Sequence, residues 1–176
     1  MKYLSLTLVA LSLLFFTSCQ EDKASTPAKL TVAEIKLDPT IFNQKLEEGL
    51  KVSEARKLKA GDPVTVSGKI IGAHSVFVDG RASFIMGDPE VLTSCDLRES
   101  DSCKSPWDVC CADGKDIAAN TLSIQLVDGN GMVLKTGLKG KNGLKELALV
   151  DVQGVVAPQS SEQAMIINAT AIQVKP

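Results

Sequence analysis

Val64-Thr65-Val66-Ser67-Gly68-Lys69-Ile70 alternates apolar and polar residues. An extended chain with this period of two places Val64, Val66 and Ile70 on one face. Gly68 sits inside the run, and an interior glycine marks a bend where a barrel turns its corner. The same period recurs downstream. Val76-Phe77-Val78 meets Asp79-Gly80, a hairpin dipeptide, and Arg81 to Met86 continues as strand. Thr121 to Val127 alternates and ends at the turn Asp128-Gly129-Asn130-Gly131, from which Met132 to Thr136 pairs back. Gly143 to Leu147 reads as one helical turn. Leu149 to Ala157, with Gly154 inside it, and Ala164 to Val174 are the last strands.

Upstream, the period is helical. Asp38-Pro39 supplies an N-cap followed by proline at the first helical position. Phe42, Leu46 and Leu50 recur at helical spacing, with Gly49 as a stop, and Ser53 caps a second short turn that ends near Gly61. The sequence therefore predicts a short helical lead-in over 38–60. A mainly β domain follows over 61–176, a small five- to six-stranded Greek-key barrel. The strand order resembles an oligonucleotide/oligosaccharide-binding fold. The resemblance is carried by residues 64–70, Phe84-Ile85-Met86-Gly87-Asp88, residues 150–156 and residues 166–172.

The N-terminus says where the protein belongs. Lys2 is followed by an apolar run from Leu4 to Phe16 and then by Phe16-Thr17-Ser18-Cys19. A charged start, a short apolar run and small residues before a cleavage point form a secretory signal. A run of about 13 residues is too short for a span, which needs about 20. Cysteine directly after the small pair resembles the lipobox of bacterial lipoproteins. That resemblance implies a signal peptide over 1–18, lipid on Cys19 and a polar tether over 19–37. The implied partners are the membrane, through the anchor, and an envelope ligand or protein. Because Gln20 rather than aspartate follows Cys19, the familiar sorting rule favours the outer membrane.

The chain has 19 basic and 21 acidic residues. Loss of residues 1–18 removes only Lys2 and leaves a net charge of −3. Single-strand binding needs a positive groove and stacking platforms. The barrel strands offer Phe77 and Phe84 on a net negative chain. Nucleic-acid binding is therefore the weakest reading, and no nucleic-acid partner is expected.

Residues 88–118 interrupt the strands with eight acidic and three basic residues. This segment holds Cys95, Cys103, Cys110 and Cys111. An even cysteine count in an exported protein reads first as disulfides. A vicinal Cys110–Cys111 bond is disfavoured, because adjacent Cα atoms are only about 3.8 Å apart. Two pairings remain: Cys95–Cys110 with Cys103–Cys111, or Cys95–Cys111 with Cys103–Cys110. The alternative is a redox or metal site on the same four thiols, although no CxxC spacing is present. The run Cys103-Lys104-Ser105-Pro106-Trp107-Asp108-Val109-Cys110-Cys111 resembles one found in exported bacterial lipoproteins, which more often have tyrosine where Val109 stands. That resemblance spans about residues 52–174. It implies export and a small barrel, and it supplies no activity.

The remaining features point away from catalysis. His74 is the single histidine and has no nucleophile-elbow sequence with it. The acidic segment lacks the residue order of a calcium loop. Gly129-Asn130-Gly131 and Lys139-Gly140-Lys141-Asn142-Gly143 lack Walker spacing and read as turns. Trp107 reads as a cover packed over the disulfides, and Trp107, Asp108 and Phe77 are the candidates for a binding surface. The sequence thus predicts a non-catalytic envelope lipoprotein, with no cofactor and no metal in the first reading.

Overall fold

The computed structural model describes residues 37–99 and 103–176. The expected signal, Cys19 and almost all of the tether lie outside the described residues. Six strands form: β1 (Leu50–Lys51), β2 (Pro63–Lys69), β3 (Ser83–Gly87), β4 (Thr121–Gln125), β5 (Leu149–Val156) and β6 (Ile166–Val174). The sheet order is β1-β2-β3-β4-β6-β5, and β5 pairs back onto β2. Strands β2 to β6 therefore close a five-stranded barrel, and β1 adds to β2 in parallel. The parallel β4–β6 pair, with β5 between β6 and β2, is the topology of the oligonucleotide/oligosaccharide-binding barrel.

Alternation gives each strand one buried face. Val64 and Val66 of β2, Phe84 and Met86 of β3, Leu122 and Ile124 of β4 meet Val150, Val152, Ile167 and Ile172 inside the barrel. Both interior glycines sit where the barrel is tightest. A Cβ on Gly68 would come within 2.9 Å of the Gly87 carbonyl oxygen. Gly154 follows a register shift between Gln153 and Gly154, and a Cβ there would press into the Asn168 carbonyl.

The lead-in departs from the helical spacing. Asp38 caps only one 3₁₀ turn, Pro39–Phe42, with Thr40 N–H donating to Asp38 Oδ1 at 2.9 Å. Leu50 joins strand β1 instead of a helix. Gly49 lies flat against the Thr65–Val66 backbone with no room for a side chain. Its N–H donates to Ser67 Oγ at 2.8 Å, and the Ser67 hydroxyl donates to Asp151. Lys175 Nζ completes the chain 3.1 Å from Asp151 Oδ1. Pairing with the barrel thus prevails over the spacing of Phe42, Leu46 and Leu50. The second turn appears as α1 (Val52–Ala55), starting one residue before Ser53 and burying Val52 and Ala55. The turn expected over Gly143–Leu147 falls instead at Lys141–Gly143. Met132–Thr136 pairs back through a single bridge between Val127 and Val133, held by the Leu134-to-Leu126 and Asp128-to-Met132 bonds, rather than as a strand.

Gly154→Val forces a branched side chain into the β5–β6 contact and should cost about 1–3 kcal/mol. Urea unfolding should show a lowered midpoint with an unchanged slope. An unchanged midpoint would mean that β5 and β6 do not approach this closely at the bulge.

Candidate functional site

The chain leaves the barrel after β3 and returns at β4, and the cysteine segment fills this gap. Its base is closed by Asp88, whose N–H donates to the Asn120 carbonyl at 2.9 Å. The buried Asp88 carboxylate accepts the Glu90 N–H at 3.0 Å. The segment has more order than its polar composition implies. It contains a 3₁₀ turn at Cys95–Leu97 and a helix, α2 (Gly114–Ala119), capped by Asp113. It also has an apolar core of its own. Ile71, Leu92 and Val109 are buried together, with Trp107, Ala112, Ile117 and Leu147 packed against them. These scattered apolar residues thus give an acidic segment a packed centre.

Backbone bonds pair the two arms of the segment and fix Cys95. Cys95 N–H donates to the Asp108 carbonyl at 2.9 Å and Asp96 N–H to the Pro106 carbonyl at 2.8 Å. Gly72 N–H, from the chain just after β2, donates to the Trp107 carbonyl at 3.3 Å. The two arms of the segment are thereby paired and hooked to the barrel. The Sγ atoms of Cys95, Cys103 and Cys110 all lie within 4.8 Å of one another. Cys95 Sγ is 3.8 Å from Cys110 Sγ, and Cys111 Sγ is 3.9 Å from Cys110 Sγ. A disulfide needs about 2.05 Å. Among the described residues the two expected disulfides are not formed. Cys95 is buried, Cys103 half-buried, and Cys110 and Cys111 are exposed. The Cys110 thiol is pushed up from its ordinary pKa. Its contact with Cys95 pulls it down, but the Cys111 contact, desolvation and the Asp108 charge outweigh that.

The proposed surface residues separate. Trp107 is half-buried, and its indole N–H donates to the His74 carbonyl at 3.0 Å. Its ring packs on both cores, so it is a cover, laid over aliphatic side chains rather than over disulfides. Lys139 Nζ stands 5.8 Å from the ring centroid and 2.5 Å from Glu146. Asp108 is half-buried, and its backbone serves the pairing with Cys95. Phe77 is a correction. It is 7% exposed, and its ring centroid is 5.8 Å from that of Phe84, so it belongs to the barrel core.

No family model, curated protein or solved structure matches the chain. The site is therefore interpreted from its own geometry. His74 is exposed and braces the segment: Ser105 Oγ and His74 Nδ1 share a 2.7 Å hydrogen bond. Ser105 is 2% exposed, so its hydroxyl is not presented to a substrate from solvent. An open groove of about 780 Å³ lies elsewhere, beside β1 and β2. Leu50, Lys51, Glu54, Glu90 and Leu149 are among the residues that line it. Sequence reasoning missed the Ser105–His74 brace and the Lys139–Trp107 stack, because neither has a local pattern. Leu92, Val109 and Ile117, apolar residues in an acidic stretch, were the available signal for the second core.

Leu92→Ala should empty the centre of that core, at a local cost of about 2–5 kcal/mol. Limited proteolysis should then cut within 88–118 faster than in the parent, while the barrel retains its far-ultraviolet signal. Equal cutting rates would show that the segment does not depend on this core.

Proposed function

We propose that the protein is a lipid-anchored envelope module whose barrel acts by binding or scaffolding rather than by catalysis. The observation that carries this reading is Phe16-Thr17-Ser18-Cys19 behind a short apolar run. Acylation of Cys19 with two or more chains gives a stable anchor, since a single chain binds only reversibly. The polar stretch over 19–37 then spaces the barrel from the membrane. Outer-membrane placement follows from the residues after Cys19.

The barrel supports a binding role by its type, and one fold hosts many functions. Nucleic acid is a poor fit to this surface. The chain without its signal carries a net charge of −3, and phosphate contacts supply most non-specific affinity. Phe77 and Phe84, the aromatic candidates for base stacking, are buried. Labelled single-stranded DNA and RNA at moderate salt should show no binding in the micromolar range. Tight, salt-sensitive binding would contradict this part of the reading.

The anchor is tested by Cys19→Ala. Unprocessed or unanchored protein is expected, with loss of the lipid mass from the mature form. Recovery of mature, lipid-bearing protein in the membrane fraction would overturn the assignment.

A further inference from the structure

Three thiols from distant points of the segment converge at one place. Cys95 comes from the 3₁₀ turn, Cys103 from the chain before Pro106, and Cys110 from the turn just past Asp108. Their spacing is informative. Two thiolates on one tetrahedral metal ion, with metal–sulfur bonds of about 2.3 Å, stand about 3.8 Å apart. Cys95 and Cys110 stand 3.8 Å apart, and all three Sγ atoms fall within 4.8 Å. The cluster is far wider than a disulfide and needs only a small contraction to enclose an ion.

The surroundings fit the same reading. The pairing of Cys95 with Asp108 and of Asp96 with Pro106 holds one ligand, Cys95, on fixed backbone. Ser105, whose carbonyl accepts from Cys103 Sγ at 3.7 Å, is itself held by His74. The neighbourhood is acidic, with Asp96 and Asp108 among a net of −5 over residues 88–118. Three thiolates would add to that repulsion unless a cation offset them. Thiolate sulfur selects soft or borderline ions over Ca²⁺ and Mg²⁺.

We infer that Cys95, Cys103 and Cys110 form a three-thiolate site for a closed-shell thiophilic cation, Zn²⁺ or Cu⁺, with Cys111 at its open edge. Each ligating thiol gives its proton to solvent as its metal–sulfur bond forms, and no electron is transferred. Cys110 and Cys111 are exposed, so the ion enters and leaves from that side. Cys111, 3.9 Å from Cys110, is placed to take the ion over during exchange. The inference goes beyond the anchored-module reading and does not depend on Cys19.

The test uses the full chain in detergent, purified anaerobically without chelator or reductant. Elemental analysis should find about one Zn or Cu per chain, the two metals being separate arms of the same measurement. After chelation and denaturation, Cys95, Cys103, Cys110 and Cys111 should all react as thiols. Reloading with Zn²⁺ or Cu⁺ should perturb the emission of Trp107, the single tryptophan. Cys103→Ser should weaken the metal in chelator competition by at least about tenfold. Cys111→Ser should keep it, and an unchanged far-ultraviolet spectrum shows that both variants fold. Metal-free protein with two disulfides by intact mass would overturn the inference. So would a fully reduced chain that takes up neither ion, or metal retention unaffected by Cys103→Ser. Loss of metal in Cys111→Ser would overturn the three-ligand assignment.

Discussion

The ladder between β2 and β5 is the constraint on which the rest depends. It pairs Pro63 with Val155 and continues without a break to Lys69 with Leu149. This pairing closes the barrel and hides the edges that an open sheet would expose. The closure continues past the strands. Ile70 N–H donates to the Ala148 carbonyl, and Leu147 N–H donates back to Ile70. Two residues later, Gly72 takes the Trp107 carbonyl and so hooks the cysteine segment to the same ladder. With φ near 137° and two side chains packed close, Gly72 is a position where a side chain would be strained.

From that hook the segment builds inward. Trp107 covers the junction of the two cores, and Ile71, Leu92 and Val109 bury a small apolar centre beneath it. Hydrogen bonds then place Cys95 opposite Asp108, two residues before Cys110. A segment with this much negative charge and so few large apolar residues needs more than burial to stay ordered. The proposed metal cross-link among its cysteines would supply a restraint of the kind that disulfides supply in small exported domains.

The barrel was legible because a buried strand has a period of two, and residues 64–70, 121–127 and 149–156 show it plainly. The glycines inside β2 and β5 were legible for the same reason, as interruptions of a regular pattern. The lead-in was misread because the spacing of Phe42, Leu46 and Leu50 fits a helix. Only the fold reveals that Gly49 must lie against Thr65. Phe77 was placed on a surface for its aromatic type, whereas its neighbour across the bridge, Phe84, keeps it in the core. The cysteines were visible at once. Their disulfide reading came from the expected compartment, and the spacing of the sulfurs is a tertiary fact that no local pattern encodes.

Amide hydrogen exchange on the intact protein tests most directly the claim that the closed barrel holds the cysteine segment in place. The account predicts slow exchange at Gly72, Cys95 and Asp96, in step with the amides of β2 and β5. Exchange of these three at open-chain rates, while β2 and β5 stay protected, would contradict it.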